Sequence, residues 1–165
     1  MDPVHFTGRE IVEMAIRIEE NGLRYYADAA RATKTKRLKE LFLALSEEEA
    51  RHINLFTDLK EKIPSDSPAE GFDPYITEAT QYLKAMADTE VFKEPGEGEK
   101  LAGRVFDEKN ALEVAIDREK DSIIFYYEMQ KMIRGKDLFV IDRLIEQEKD
   151  HLKRLTDYME ELFSE

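Results

Sequence analysis

The sequence contains no cysteine in its 165 residues. Disulfides, thiolate catalysis, Cys-based zinc sites and Cys-ligated iron–sulfur clusters are therefore excluded, and any metal must be held by carboxylate and imidazole. Glycine and proline are scarce, at seven and five, and four of the prolines fall between residues 64 and 95. That clustering divides the chain into two long helical arms around a middle connector. Long apolar runs are missing too: nothing approaches the ~18 uninterrupted residues of a membrane span. The opening MDPVHFTGRE has neither the basic nor the apolar region of a secretory signal. A cytoplasmic protein with no membrane partner is the expectation. Positive charge is short as well, and the net charge of -12 argues against nucleic acid, whose phosphates would be repelled over the whole molecule.

What is present is a 42% hydrophobic fraction with nine Phe and seven Tyr. That suits one globular domain spanning residues 1–165. The first arm opens at Thr7, with Glu10 three residues on, in the pattern of a capping box. Val12, Ile16, Glu19, Leu23, Tyr26 and Ala30 then recur at the three-and-four spacing of one helix face. A polar turn at 32–36 leads to a second stripe of Leu38, Phe42, Leu45, Glu49, His52, Phe56, Leu59 and Ile63. These two helices form a hairpin over 7–63, followed by a crossover over 64–107. Within the crossover, Asp73-Pro74 and the amphipathic run to Pro95-Gly96 predict a short helix.

The second hairpin, 108–164, repeats the plan. Asp107 is its candidate cap; Leu112, Ile116, Glu119, Ile123, Tyr126 and Ile133 form the third stripe. Arg134-Gly135-Lys136 supplies a stop, and Leu138, Ile141, Leu144, Glu148, His151, Leu155, Tyr158 and Leu162 form the fourth. The likeness is an internal duplication. A shift of 100 residues aligns EMAIRIEENGLRYY at 13–26 with EVAIDREKDSIIFY at 113–126, and a shift of 99 aligns Glu49 and His52 with Glu148 and His151. The midpoint of Glu19 and Glu49 is Lys34, in the first turn, and that of Glu119 and Glu148 falls at the second. Residues equidistant from the turn of an antiparallel pair share a height, here about 22 Å away at 1.5 Å per residue. Each hairpin therefore brings one Glu level with one Glu-x-x-His.

Glu19, Glu49, Glu119 and Glu148 all occupy positions that the helical period assigns to the core. Burying four carboxylates together without compensation would exceed the ~5–15 kcal/mol net stability of a domain. Either they are protonated or they hold cations, and two divalent ions would cancel their charge while His52 and His151 add nitrogen ligands. A lone Glu-x-x-His is weak evidence, because such pairs also form ordinary surface contacts. Two of them, on core stripes and related by duplication, are not. His5 lies ahead of the first helix and reads as a surface residue. The methionines read as packing, and the run Glu47-Glu48-Glu49 as solvated except for its last member.

One Glu from each of two helices with Glu-x-x-His from each of the other two resembles the ferritin-like carboxylate proteins, which are four-helix bundles with di-iron or di-manganese centres. Through EENGLRYYADAA, EEEARH, REKDSIIFYY and EQEKDH, the chain resembles the diiron domain of the rubrerythrin family. The resemblance implies two iron ions, with manganese or zinc as alternatives. It makes Glu19 and Glu119 carboxylate ligands, Glu49 and Glu148 bridges, and His52 and His151 caps on one metal each. It also implies that Tyr26, and either Tyr126 or Tyr127, donate hydrogen bonds to ligand carboxylates. The activity implied is reduction of hydrogen peroxide or dioxygen, with a ferroxidase or a non-catalytic metal-stabilised bundle as alternatives. Fuller family members carry a four-Cys rubredoxin domain, and an extra Glu where this chain has Ser122. An external electron donor such as a rubredoxin-like protein is therefore expected, and a homodimer.

Overall fold

A computed structural model of the chain describes residues 7–63, 107–132 and 138–163, together with Tyr82 and Ala85. Four long helices account for nearly all of them: α1 (Gly8–Ala32), α2 (Lys36–Lys62), α3 (Glu108–Met132) and α4 (Leu138–Phe163). No β-strand occurs among the described residues. The expected helix within 73–96 lies outside them apart from helical Tyr82 and Ala85, and so do the stop at Arg134–Lys136, Ile133 and His5.

Local chemistry sets the helix starts. Thr7 caps α1 through Oγ1, which accepts from the Glu10 backbone N–H at 3.2 Å, while the Glu10 carboxylate accepts from the Thr7 N–H at 2.7 Å. Two otherwise orphaned donors are thereby satisfied reciprocally. At α3 the Asp107 Oδ1 accepts from the N–H groups of Lys109 and Asn110 at 3.0 and 3.4 Å. The turn between α1 and α2 has a partner that the sequence does not announce. Glu108, at the start of α3, accepts hydrogen bonds from the hydroxyl of Thr33, the Thr35 N–H at 3.2 Å and the Thr35 hydroxyl at 2.8 Å.

The core falls into two apolar clusters. One joins Ile11, Val12, Ala15 and Ile18 of α1 to Phe56 and Leu59 of α2, to Phe125, Tyr126, Met129 and Met132 of α3 and to Ile141, Leu144 and Ile145 of α4. The other joins Tyr25–Ala30 to Leu38–Leu45, Ala111–Ala115, Leu155 and Tyr158. The start of α1 thus lies with the end of α2, the end of α3 and the start of α4. Helices α1 and α3 are antiparallel, and α2 and α3 run in the same direction. The chain must consequently travel the length of the bundle between α2 and α3, about 40 Å at helical rise for a 27-residue helix. This is the physical reason for a connector longer than a hairpin loop.

The α2 stripe is buried as expected, with Leu38, Phe42, Leu45, Phe56 and Leu59 fully enclosed. Each such side chain contributes roughly 1.5–3 kcal/mol on burial. On α1 and α3 the buried face is turned slightly from the expected stripe. Ile16, Leu23, Ile116 and Ile123 are only half-buried, and Ile11, Ala15, Ile18, Tyr25, Ala111, Ala115 and Phe125 take the interior. A strict single row of threes and fours underestimates the width of a face packed against two neighbours. Leu162 is exposed, because it lies beyond the last packed turn of α4.

Glu108→Ala removes the acceptor that joins the α1–α2 turn to the start of α3. A loss of about 1.5–3 kcal/mol is expected, the usual range for hydrogen bonds to a charged group. Denaturant unfolding checks this, with the exposed Glu40→Ala as an unaffected control.

Candidate metal centre

Between the two apolar clusters lies one polar layer. Glu19, Glu49, His52, Glu119, Glu148 and His151 are all buried there, each within 3% of full enclosure. Helices α1 and α3 supply one Glu apiece, and α2 and α4 each supply a Glu and a His one turn apart, so that both point inward. His52 Nδ1 lies 2.8 Å from Glu148 Oε1, 3.2 Å from Glu19 Oε2 and 3.4 Å from Glu49 Oε2. His151 Nδ1 lies 3.4 Å from Glu49 Oε1, 3.4 Å from Glu148 Oε2 and 3.7 Å from Glu119 Oε2. The imidazole rings are stacked, 5.4 Å apart.

Two groups of potential ligands emerge, Glu19, Glu49, His52 and Glu148 in one and Glu49, Glu119, Glu148 and His151 in the other, with their atoms within 4.8 Å of one another. Glu49 and Glu148 belong to both. Two atoms test whether the layer suits a cation. His151 Nδ1 and Glu148 Oε1 are buried and make no hydrogen bond. The 2.8 Å approach of His52 to Glu148 Oε1 is a contact of charges without the direction a hydrogen bond requires. Buried polar atoms left unsatisfied are costly, and a cation at their convergence would satisfy them.

Outside the layer, Tyr26 donates to Glu119 Oε1 and Tyr126 donates to Glu19 Oε1. Both tyrosines are fully enclosed, and burial together with the neighbouring carboxylates raises their pKa well above the ordinary value, which keeps the hydroxyl protons in place as donors. The bonds run between hairpins. A two-fold relation between the halves makes this reciprocal: if Tyr26 reaches Glu119, its duplicate must reach Glu19. Tyr127, the alternative to Tyr126, takes no part. It is 39% exposed and carries Lys149 over its ring, because one residue along a helix turns the side chain by about 100°.

Glu48 corrects the reading of residues 47–49 as solvated up to the last. It is half-buried, accepts from His151 Nε2 at 2.8 Å, and is held by Arg154 with 3.0 Å to each carboxylate oxygen. His151 and Arg154 come from α4, so nothing near Glu48 in sequence signals this role. Gly22 was missed for a different reason. A Cβ there would stand 3.3 Å from Glu49 Cδ, so glycine leaves the space that the carboxylate occupies. On this side the layer opens into a pocket lined by Glu19, Gly22, Tyr26, Glu49, Arg118, Glu119, Asp121 and Ser122, with about 30 Å³ of room for water-sized molecules.

The metal-free layer binds protons where cations would sit. Burial, and then the charge of Glu148, push Glu119 up to about 8. Burial and the charges of Glu19 and Glu148 push Glu49 well above the carboxylate range. Burial opposes charge on His52, but Glu148, Glu19 and Glu49 outweigh it and push the imidazole up to about 12. His151 is raised for the same reason, and the two imidazoles lower Glu148 despite its burial.

The arrangement is a buried Glu/His cluster able to bind metal in a ferritin-like four-helix bundle. Comparison with known proteins agrees. The Rubrerythrin family model matches residues 10–159, and the chain belongs to the rubrerythrin family. A Thermotoga maritima protein, whose crystal structure is described as that of a ferritin-like diiron-carboxylate protein, superposes with a TM-score of 0.72. It is 27% identical over 95% of this chain and 97% of its own. No curated protein sequence matches.

Metal-free protein is expected to lose stability as pH rises. Glu119 and Glu49 have folded pKa values above the unfolded one, so the native state holds more protons and the slope is negative, for Glu119 between about 4.5 and about 8. His52 adds stability that is complete below its unfolded value of 6.5 and is lost towards about 12. Melting temperatures of chelator-treated protein at pH 5.5, 7 and 8.5 should fall in that order; a rise would show that the carboxylates are not buried together.

Proposed function

We propose that the centre binds two iron ions and reduces hydrogen peroxide or dioxygen, with electrons replenished by a separate donor protein. The observation that carries the reading is the pair of ligand groups sharing Glu49 and Glu148. Two divalent ions offset the four carboxylates, and oxygen-rich donors with one imidazole per site suit iron, manganese or zinc. Membership of the rubrerythrin family and the likeness to a diiron-carboxylate protein favour iron.

In this reading Glu49 and Glu148 would be shared by the two ions, Glu19 and His52 would hold one, and Glu119 and His151 would hold the other. When bound, iron supplies two electrons and polarises the O–O bond. The chain's own residues do the rest. Tyr26 and Tyr126 hold the carboxylates of Glu119 and Glu19 in place, and the apolar clusters above and below keep bulk water from the layer. The pocket beside Gly22 and Ser122 admits a molecule the size of peroxide or dioxygen and excludes larger organic substrates.

Peroxide reduction consumes two electrons and two protons and yields two waters. The electrons cannot come from a rubredoxin-type site within these residues, which hold no cysteine.

Iron-loaded, reduced protein is expected to consume one peroxide per two irons and then stop until a reduced rubredoxin-like donor is added. Stopped-flow absorbance of the oxidised centre measures this. Absence of oxidation by both peroxide and oxygen, or sustained NADH-driven turnover without a carrier, would overturn the reading. His52→Ala and His151→Ala should each retain about one of the two ions by metal analysis after gel filtration, and His5→Ala should retain both.

A further inference from the structure

The duplication is not perfect around the imidazoles. Glu48 precedes His52 by four residues and reaches across to His151 Nε2 at 2.8 Å. An ionised carboxylate only accepts, so Nε2 must carry a proton, and Nδ1, which lies towards Glu49, Glu119 and Glu148, is the nitrogen that would give up its proton and offer a lone pair to a cation. Arg154 fixes Glu48 through both oxygens and also lies 3.6 Å from Asp150. The shift of 99 residues that relates α2 to α4 puts Gln147 in the place of Glu48, and Leu55 in the place of Arg154. The two-fold relation therefore sets a neutral amide across from His52. The Gln147 Oε1 is buried and accepts no hydrogen bond.

We propose that Glu48 is a positioning residue that makes the two sites unequal, so that the ion served by His151 binds first and more tightly than the ion served by His52. A carboxylate on the far nitrogen fixes the ring's tautomer and orientation and increases its donor strength, and a neutral amide does so less. Glu48 itself touches no reacting atom. This inference rests on the reading of the six buried residues as ligands.

Titration of metal-free full-length chain with Co(II), followed calorimetrically, tests it. Wild-type protein should take up two ions in separate steps. Glu48→Gln should weaken the first step by about 10–100-fold, the range for loss of such a partner, and bring the two steps together. Gln147→Glu should tighten the second step instead, which keeps the test alive if Glu48→Gln folds poorly. The exchange variant, Glu48→Gln with Gln147→Glu, should restore two separate steps, a rescue that a purely structural role for Glu48 would not produce. Proton NMR of the protein with one equivalent of Co(II) should show a single shifted, slowly exchanging imidazole N–H, and Glu48→Gln should accelerate its exchange. Two equal steps in the wild type, or an unchanged first step in Glu48→Gln, would overturn the inference alone. No Co(II) binding by the wild type would overturn the metal reading beneath it as well.

Discussion

Four carboxylates held in one buried layer are the constraint around which the rest of the molecule is arranged. In water their mutual repulsion would be small; enclosed between apolar clusters it is not, because burial both strengthens the repulsion and removes the hydration that stabilises each charge. The layer has two ways to become tolerable. Protons can be taken up, as the raised values of Glu119 and Glu49 and the charged imidazoles express. Alternatively, cations can replace those protons. Folding, proton binding and metal binding are thus linked through the same six side chains. The apolar clusters that make the bundle stable are also what make the layer take up protons or a cation.

Duplication explains how so demanding a layer can be assembled from so little sequence. A hairpin that brings a Glu level with a Glu-x-x-His holds half of a centre. Two hairpins packed antiparallel complete it, and inter-hairpin contacts between residues that the duplication kept alike then occur twice, as the crossed Tyr26–Glu119 and Tyr126–Glu19 bonds do. The same packing makes α2 and α3 run in one direction, which obliges the chain to cross the bundle between them. Specialisation enters where the copies differ. The shift of 100 residues pairs Gly22 with Ser122 and Ile18 with Arg118, and all four line the pocket on one side of the layer. The other side is closed by the facing imidazoles and by Glu48 and Arg154.

The sequence disclosed the parts of this architecture that depend on spacing along a helix. Glu19, Glu49, His52, Glu119, Glu148 and His151 could be placed on a common level because helical rise is uniform and turns are short, and the structure does bring them together. The capping box at Thr7 was equally legible, since its chemistry spans only three residues. Contacts across the bundle were not. Glu48 and Glu108 look like ordinary surface acids among their sequence neighbours, and their roles come from Arg154 and His151 in one case and from Thr33 and Thr35 in the other. The choice between Tyr126 and Tyr127 was open for a related reason: it depends on the rotation of α3, which the half-buried Ile116 and Ile123 show to be set by packing against two neighbours rather than by a single stripe.

The same geometry limits which oxidants the proposed chemistry can accept. In that chemistry an oxidant would enter through the pocket beside the layer, which among the described residues is walled by Glu19, Glu49, Glu119 and Asp121 together with Arg118. With the charges of Glu19, Glu49 and Glu119 offset by bound ions, an approaching anion would meet chiefly the field of a chain of net charge -12. Neutral hydrogen peroxide and dioxygen meet none, and each fits a space of about 30 Å³. In the proposed chemistry, size and charge would therefore favour the same small neutral molecules.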